Sequence, residues 1–258
     1  MLAALLVASA VLSGCADENS LSAALDSAAV AQAEGPPAGA SADKPAFNPF
    51  GEPGSGDRPA RQVLVNPSLA EVMQPGPLPE MAIGRQDAPV TIIKYASLTC
   101  PYCRKFHEET FPELKRAYID TGKVRFVLRE FPIGFQSGAA TIALRCAPPE
   151  RYFDLYGKFL AQQARWVSQE VRHDPIFKVA AQVGMTRAQF DACYKNQGMI
   201  DALNKVKDRG RTLGVIGTPN FFVNGRLVKT VIGMKEIREM VEPVLAGNTG
   251  SGAATANQ

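Results

Sequence analysis

The chain has 258 residues, 46% of them hydrophobic, which is enough for one core of ordinary domain size with residues to spare. The net charge is +3, but residues 1–80 carry −6 and the remainder carries +9. The basic side chains of the second part are spread out with no dense run, which argues against a nucleic-acid partner. Five cysteines, at positions 15, 100, 103, 146 and 193, direct attention to thiol chemistry.

The first fifteen residues have the pattern of a bacterial export signal. Residues 2–12 form an apolar run that is shorter than the roughly 20 residues needed to span a bilayer, and that suits a signal peptide. Leu-Ser-Gly-Cys at 12–15 then resembles a lipobox, although no Lys or Arg precedes the run. We predict a signal peptide over 1–15 with lipidation at Cys15. A cleaved signal with an incidental cysteine is the alternative.

A change of composition separates this leader from the folded part. From residue 16 to about residue 80, Ala, Gly, Pro, Ser and acidic residues dominate. Such a segment buries too little apolar surface to offset the entropy lost on ordering. We therefore predict a flexible spacer over 16–80, a folded domain over 81–246, and a disordered Gly/Ser/Ala-rich tail over 247–258.

The folded part begins with a strand, a helix and a second strand. Residues 88–95 are β-branched and apolar after a turn signal, which predicts a buried strand. The helix that follows the Cys-x-x-Cys at 100–103 has apolar residues at helical spacing, and Pro112 is expected to kink it. Residues 123–129 alternate polar and apolar side chains, which indicates the second strand.

A long helical stretch, over about 137–213, comes next and is divided by turn signals. Short apolar strands at 220–223 and 226–228 flank Asn-Gly, a strong hairpin signal, and a helix over 235–245 closes the domain. The order predicts an α/β fold with a helical block inserted between two halves of a small sheet.

The reactive chemistry is predicted to lie in Cys100-Pro101-Tyr102-Cys103. At a helix start, unpaired backbone N–H groups and the positive end of the helix dipole stabilise a thiolate. Pro101 fits the first helical turn, and Cys103 is close enough to form a disulfide with Cys100. We assign Cys100 as the exposed attacking or attacked sulfur and Cys103 as the buried resolving thiol, with Pro101 and Tyr102 tuning the site.

A Cys-x-x-Cys is also half of a zinc site, so metal binding is an alternative. No second pair of ligands has suitable spacing, and we predict neither a metal nor a cofactor. His107, four residues beyond Cys103 on the same helix face, is either a partly exposed helix residue or a group that tunes the active site.

The segment 217–225, Gly-Thr-Pro-Asn-Phe-Phe-Val-Asn-Gly, is the second signal. A cis peptide between Thr218 and Pro219 would leave the Thr218 backbone free to pair with an extended substrate strand. An ordinary trans proline in a turn is the alternative.

Together, the segments 87–91, 98–103 and 217–225 resemble the DsbA-like group of the thioredoxin superfamily. The resemblance covers about 80–246. It implies a thioredoxin-like sheet with an inserted helical domain and an extracytoplasmic dithiol/disulfide role. It also implies that Pro219 is the cis-proline beside the active site.

One position departs from that family. Members often carry a buried Glu six residues before the first cysteine, where this chain has Lys94. A charged lysine cannot accept a proton. Near Cys103 it would favour a thiolate, or lose its own proton through burial.

Cys146 and Cys193 fall in different helices of the inserted block. In an oxidising compartment two otherwise unpaired cysteines suggest a structural disulfide, and some relatives have a second disulfide in the helical domain. Two buried free thiols are the alternative.

The sequence thus predicts an exported thiol:disulfide oxidoreductase that donates disulfides, lipid-anchored at the periplasmic or extracytoplasmic face of a bacterial membrane. Its expected partners are unfolded or partly folded exported proteins with cysteines, and a membrane redox partner that recycles the active site. A reductase or isomerase is the first alternative, because direction depends on redox potential. A tethered peptide-binding or chaperone module and a cytosolic glutaredoxin-like enzyme are the others.

Overall fold

The computed structural model describes residues 63–251, with side chains up to residue 247. The predictions for the signal peptide, for lipidation at Cys15, for the first part of the spacer and for residues 252–258 lie outside the described residues. Within 63–251, no helix is long and apolar enough to cross a membrane.

A five-stranded mixed sheet forms the centre of the domain. Its strands follow one another in space in the order β1-β3-β2-β4-β5. The central pair, β2 and β3, is parallel, and every other neighbouring pair is antiparallel. In chain order the strands are β1 (Met81–Ile83), β2 (Val90–Ala96), β3 (Val124–Glu130), β4 (Asn220–Val223) and β5 (Arg226–Val228).

Helices cover both faces of the sheet and form the inserted block between β3 and β4. They are α1 (Leu69–Met73), α2 (Pro101–Lys105), α3 (Phe111–Leu114), α4 (Phe135–Arg145), α5 (Tyr152–Ala161), α6 (Gln163–Trp166), α7 (His173–Ala180), α8 (Arg187–Cys193), α9 (Gln197–Thr212) and α10 (Met234–Ser251). Turns of 3-10 helix at Pro149–Arg151 and Ala181–Val183 precede α5 and follow α7.

The parallel connection between β2 and β3 is a helix of mixed geometry. A π-helical turn at Phe106–Thr110 joins α2 to α3, and a second at Lys115–Ile119 extends α3. Pro112 lacks the N–H that an α-helix would pair with the carbonyl four residues back. The predicted kink corresponds to the π-helical turn that directly precedes α3. Such turns are a recognised cause of helix distortion.

Alternation along β2 divides its side chains between two apolar layers. Ile92 points into the larger layer, which contains Phe106 and the buried aromatic residues of the inserted block. Ile93 and Tyr95 point to the other face, where Val72 of α1 packs. Lys94 shares the face of Ile92 and therefore points towards the helix that carries the cysteines.

A disulfide between Cys146 and Cys193 ties the end of α4 to the end of α8, with the two Cα atoms 6.1 Å apart. The separation is usual for a disulfide. Of the two alternatives left open by the sequence, paired cysteines or free thiols, the structure has the pair.

The ordered domain extends beyond both predicted boundaries. In the predicted spacer, Ser68 and Glu71 form a capping box at the start of α1, and Val72 is fully buried. At the other end, α10 continues to Ser251, past the predicted domain end at residue 246. A single buried valine in a Pro-rich polar segment leaves no periodic signal, which is why composition alone places the boundary too late.

Candidate active site

Cys100 occupies the N-cap position of α2, where its backbone is extended rather than helical. Its Sγ accepts a hydrogen bond from the backbone N–H of Cys103, 3.3 Å away. Pro101 takes the first helical position, where its missing N–H costs nothing. Cys100 is partly exposed, Cys103 is fully buried, and both are free thiols. The local sequence therefore presents one sulfur to solvent and hides the other.

The two thiols differ strongly in acidity. A hydrogen bond from the Cys103 side chain is the main cause that lowers the pKa of Cys100 to about 5, with further hydrogen bonds from backbone N–H groups, against the opposing effect of burial. Burial raises the pKa of Cys103 well above its usual value. At neutral pH the dithiol form therefore holds a thiolate at Cys100 and a thiol at Cys103.

The peptide bond between Thr218 and Pro219 is cis, as the sequence predicts. The Cys100 Sγ lies 3.2 Å from the Thr218 carbonyl oxygen, to which the protonated thiol donates. Pro219 directly precedes β4, which pairs with β2, so the sheet itself places this peptide against the start of α2. Tyr102, 59% exposed, lines a shallow depression together with Thr218 and Pro219.

Gln163 is a site residue that sequence reasoning missed. From α6 of the inserted block, its Nε2 donates to the carbonyl oxygens of Leu98 at 2.7 Å and Cys100 at 3.0 Å. The side chain is buried, so these bonds hold the loop that leads into the Cys-x-x-Cys. A glutamine in a helix carries no sequence signal for such a role, because only the packing of α6 onto the loop creates it.

Lys94 lies beneath the cysteines and is only 1% exposed. Its Nζ donates to the Cys103 carbonyl oxygen at 3.3 Å and lies 4.3 Å from the centroid of the Phe106 ring. Burial lowers the pKa of Lys94 to about 8, although the two cysteines oppose the shift. The structure thus brings Lys94 to the reactive centre, as its sequence position predicts.

His107 is partly buried in the π-helical turn after α2. Its ring stacks on Phe111 at a centroid distance of 5.4 Å and meets the edge of Tyr156 at 5.6 Å. Burial, with a smaller contribution from Lys94, lowers the pKa of His107 to about 4. The imidazole is therefore neutral at neutral pH and adds no charge to the site.

Within the described part of the chain, no three His, Cys, Asp or Glu side chains come together in a group that could hold a metal ion.

A dithiol at a helix start, beside a cis-proline at the start of a neighbouring strand, is the arrangement of a thioredoxin-type fold. The chain belongs to the thioredoxin family, whose family model matches residues 78–243. Its structure is similar to that of alpha-DsbA1 from Wolbachia pipientis, with a TM-score of 0.64 and 24% identity over 71% of this chain and 99% of that one. It is also similar to oxidised BdbD from Bacillus subtilis, with a TM-score of 0.58 and 24% identity over 65% of this chain and 93% of that one. The predicted DsbA-like thioredoxin fold is confirmed.

Proteins related to this chain in sequence have names that refer to disulfide chemistry. A Rickettsia conorii protein, provisionally named a protein-disulfide oxidoreductase, is 32% identical over 171 residues, which are 65% of this chain and 62% of that protein. Disulfide bond formation protein D of Bacillus subtilis is 23% identical over 183 residues, 67% of this chain and 81% of that protein. The chain spans between 53% and 62% of the length of the Rickettsia relatives that it matches.

Proposed function

We propose that this protein is a thiol:disulfide oxidoreductase that exchanges disulfides with exported proteins through Cys100-Pro101-Tyr102-Cys103, in the disulfide-donating direction. The observation that carries the proposal is the contrast between the two sulfurs. Cys100 is accessible and its pKa is lowered to about 5, whereas Cys103 is buried and its pKa is raised. A sulfur of low pKa is a good leaving group, so the enzyme releases its bond to substrate readily.

The reaction begins with the active site as a disulfide. A substrate thiolate attacks the Cys100 Sγ, the Cys100–Cys103 bond breaks, and the electron pair goes to Cys103, which gains a proton. A second substrate thiolate then attacks the substrate sulfur of the mixed disulfide, and Cys100 leaves as a thiolate. Two substrate thiols are oxidised and the enzyme disulfide is reduced by two electrons.

The surroundings of Cys100 suit an unfolded or partly folded substrate. Exposed apolar side chains lie around the site, and such patches on a protein surface mark contacts with other molecules. They are Tyr102, Ile133, Phe135, Val167, Ile216 and Val231. The Thr218 backbone beside Cys100 offers an edge for an extended chain.

Each turnover leaves the dithiol, so continued action requires a redox partner that reoxidises the protein, which we place in the membrane. The Cys146–Cys193 disulfide supports an oxidising compartment. The export signal and lipobox pattern at 1–15 support an extracytoplasmic location with a lipid anchor at Cys15. Membrane fractionation of the wild type and Cys15→Ser tests the anchor, since loss of the lipid should move the protein to the soluble fraction.

The direction of exchange is tested by equilibrating residues 16–258 with glutathione buffers and determining which cysteines change state by mass spectrometry. A potential at or above about −180 mV supports a disulfide donor. A value near about −270 mV, that of thioredoxin, would assign a reductase instead. An isomerase would reshuffle scrambled disulfides faster than it oxidises dithiols, and so would be recognised in a parallel assay.

The Cys100→Ser variant separates these enzyme functions from a binding module. Loss of oxidase activity in cells is expected, because Cys103 alone cannot form the active-site disulfide that a substrate thiolate attacks. Full activity of that variant would favour a peptide-binding or chaperone module.

A further inference from the structure

The ammonium group of Lys94 is held between the sheet and the helix that carries the cysteines. Its hydrogen bond reaches the Cys103 carbonyl, and the Phe106 ring lies against it. Its cross-strand neighbours, Leu128 on β3 and Phe221 on β4, are apolar and buried. The amine therefore sits where water does not solvate its charge, which is costly unless a negative charge is close.

The other ionisable groups around Lys94 do not supply that charge. Tyr156 of α5 presents its ring 5.7 Å from the Lys94 Nζ, but burial raises the pKa of its phenol well above 10, so it stays neutral. His107 is neutral above about pH 4. The buried Glu130 carboxylate pairs with Arg145 and accepts from the Tyr152 hydroxyl. Within the described residues, the groups that favour a charged Lys94 are the sulfurs of Cys103 and Cys100. Of the two, Cys100 carries the negative charge at neutral pH, because its pKa is low and that of Cys103 is raised.

We propose that Lys94 is a redox-linked proton carrier: it holds a proton while the active site is a dithiol and releases it when the site becomes a disulfide. This inference rests on the proposed disulfide exchange and adds the proton stoichiometry of the same site. Lys94 is a positioning residue in this account, since its amine touches the Cys103 carbonyl and acts on the sulfurs through its charge.

The physical cause is the loss of negative charge on oxidation. In the dithiol form burial lowers the pKa of Lys94 to about 8, and the negative charge of the Cys100 thiolate opposes this shift. Closing the disulfide removes the negative charge of the Cys100 thiolate, while the burial that disfavours the ammonium is unchanged. The pKa of Lys94 is then lower in the disulfide form than in the dithiol form.

The proton balance follows directly. Reduction adds two electrons and two protons to a disulfide with a neutral Lys94, and yields a Cys100 thiolate, a Cys103 thiol and a charged Lys94. Two substrate thiols supply those two electrons and two protons. Exchange with thiols therefore releases no net proton in the pH range where Lys94 is charged in the dithiol form and neutral in the disulfide form. Without a titrating group at residue 94, the same exchange releases one proton, because only Cys103 takes one up.

The test is the equilibrium with glutathione, measured between pH 7 and pH 8, well above the pKa of Cys100. In Lys94→Met the equilibrium constant for reduction of the active-site disulfide by glutathione should change about tenfold over this pH unit, because the reaction releases one proton. In the wild type it should change about threefold or less. The exposed Lys105→Met, which breaks an ion pair with Glu109 close to the cysteines, is the matched control and should behave as the wild type does.

The Lys94→Arg variant keeps a positive charge at residue 94 but removes the group that gains and loses a proton. Arginine stays protonated in both redox forms. This variant should show the tenfold change seen with Lys94→Met. An identical pH dependence in the wild type and Lys94→Met would overturn the proposal, although disulfide exchange itself would stand. Failure of Cys100 and Cys103 to cycle in any of these proteins would instead refute the proposed function.

A measurement on the wild type alone guards against variants that fail to fold. Reduction by dithiothreitol in weakly buffered solution at pH 7, followed with a pH indicator, counts protons per active site. We expect clearly less than one proton to be released. Release of one full proton would refute the role of Lys94.

Discussion

Replacing Lys94 by Met should stabilise the folded dithiol protein, although the substitution removes a hydrogen bond. The pKa of Lys94 falls from 10.5 to about 8 on folding, mainly through burial. Each pKa unit corresponds to about 1.4 kcal/mol, so the charged amine costs about 3 kcal/mol of folding free energy at pH 7. Methionine has a similar shape and carries no charge. The Cys103 carbonyl also keeps the backbone N–H of Phe106 as a donor.

The pH dependence of the folding stability tests the same prediction independently. Between pH 8 and about 10.5 the unfolded chain holds the Lys94 proton and the folded chain has lost it. The unfolded state binds more protons there, so wild-type stability from this residue rises with pH across that window. Lys94→Met lacks the contribution, and its advantage over the wild type should therefore shrink towards pH 10.5.

Urea unfolding under reducing conditions at pH 7 measures the difference, with unchanged m-values as a check that the compactness of both states is retained. The control is Lys105→Met on the exposed side of α2, which should change stability by less than about 0.5 kcal/mol. A Lys94→Met protein less stable than the wild type by 1 kcal/mol or more would contradict the reasoning, because the lysine would then be a net stabilising group.

Three further predictions concern the rest of the site and the inserted block. Alkylation of Cys100 by iodoacetamide should lose half its rate as pH falls through about 5, since only the thiolate reacts; a midpoint near 9 would mean that the hydrogen bonds around it do not stabilise the thiolate. Replacing both Cys146 and Cys193 by Ala opens a link across 47 residues and should lower the free energy of unfolding by about 4 kcal/mol in the oxidised protein, measured by urea unfolding; no loss would contradict the disulfide. Gln163→Ala should cost about 1–3 kcal/mol, because the buried Leu98 carbonyl loses its donor; Gln163→Glu, which cannot donate when ionised, should be no better, and wild-type stability in both would remove Gln163 from the site.

Strong local signals account for what the sequence predicted. The Asn-Gly pair does form the turn between β4 and β5, because both residues adopt the positive φ that this turn needs. Pro101 after Cys100 does begin α2. Each of these features depends on a few neighbouring residues, so the spacing along the chain contains the necessary information.

Features that depend on distant contacts were not predicted. β1 is three residues long and is defined by its antiparallel pairing with β3, more than forty positions away. α1 is held by Val72, whose burial depends on the far face of the sheet. A short polar segment gives no periodic pattern, and such elements become visible only when the sheet against which they pack is present.

The sequence alone indicated the type of chemistry, through two cysteines at a helix start, a Gly-Thr-Pro segment far downstream, and a lysine six residues before the first cysteine. The tertiary structure decided how those groups act on one another. It buried Lys94 under Cys103, set Gln163 of the inserted block on the carbonyls of the active-site loop, and placed Thr218 against Cys100. The physical reason is that the pKa of a thiol or an amine is set by burial and by charges a few ångströms away, and these are brought together by the packing of the sheet and the helices.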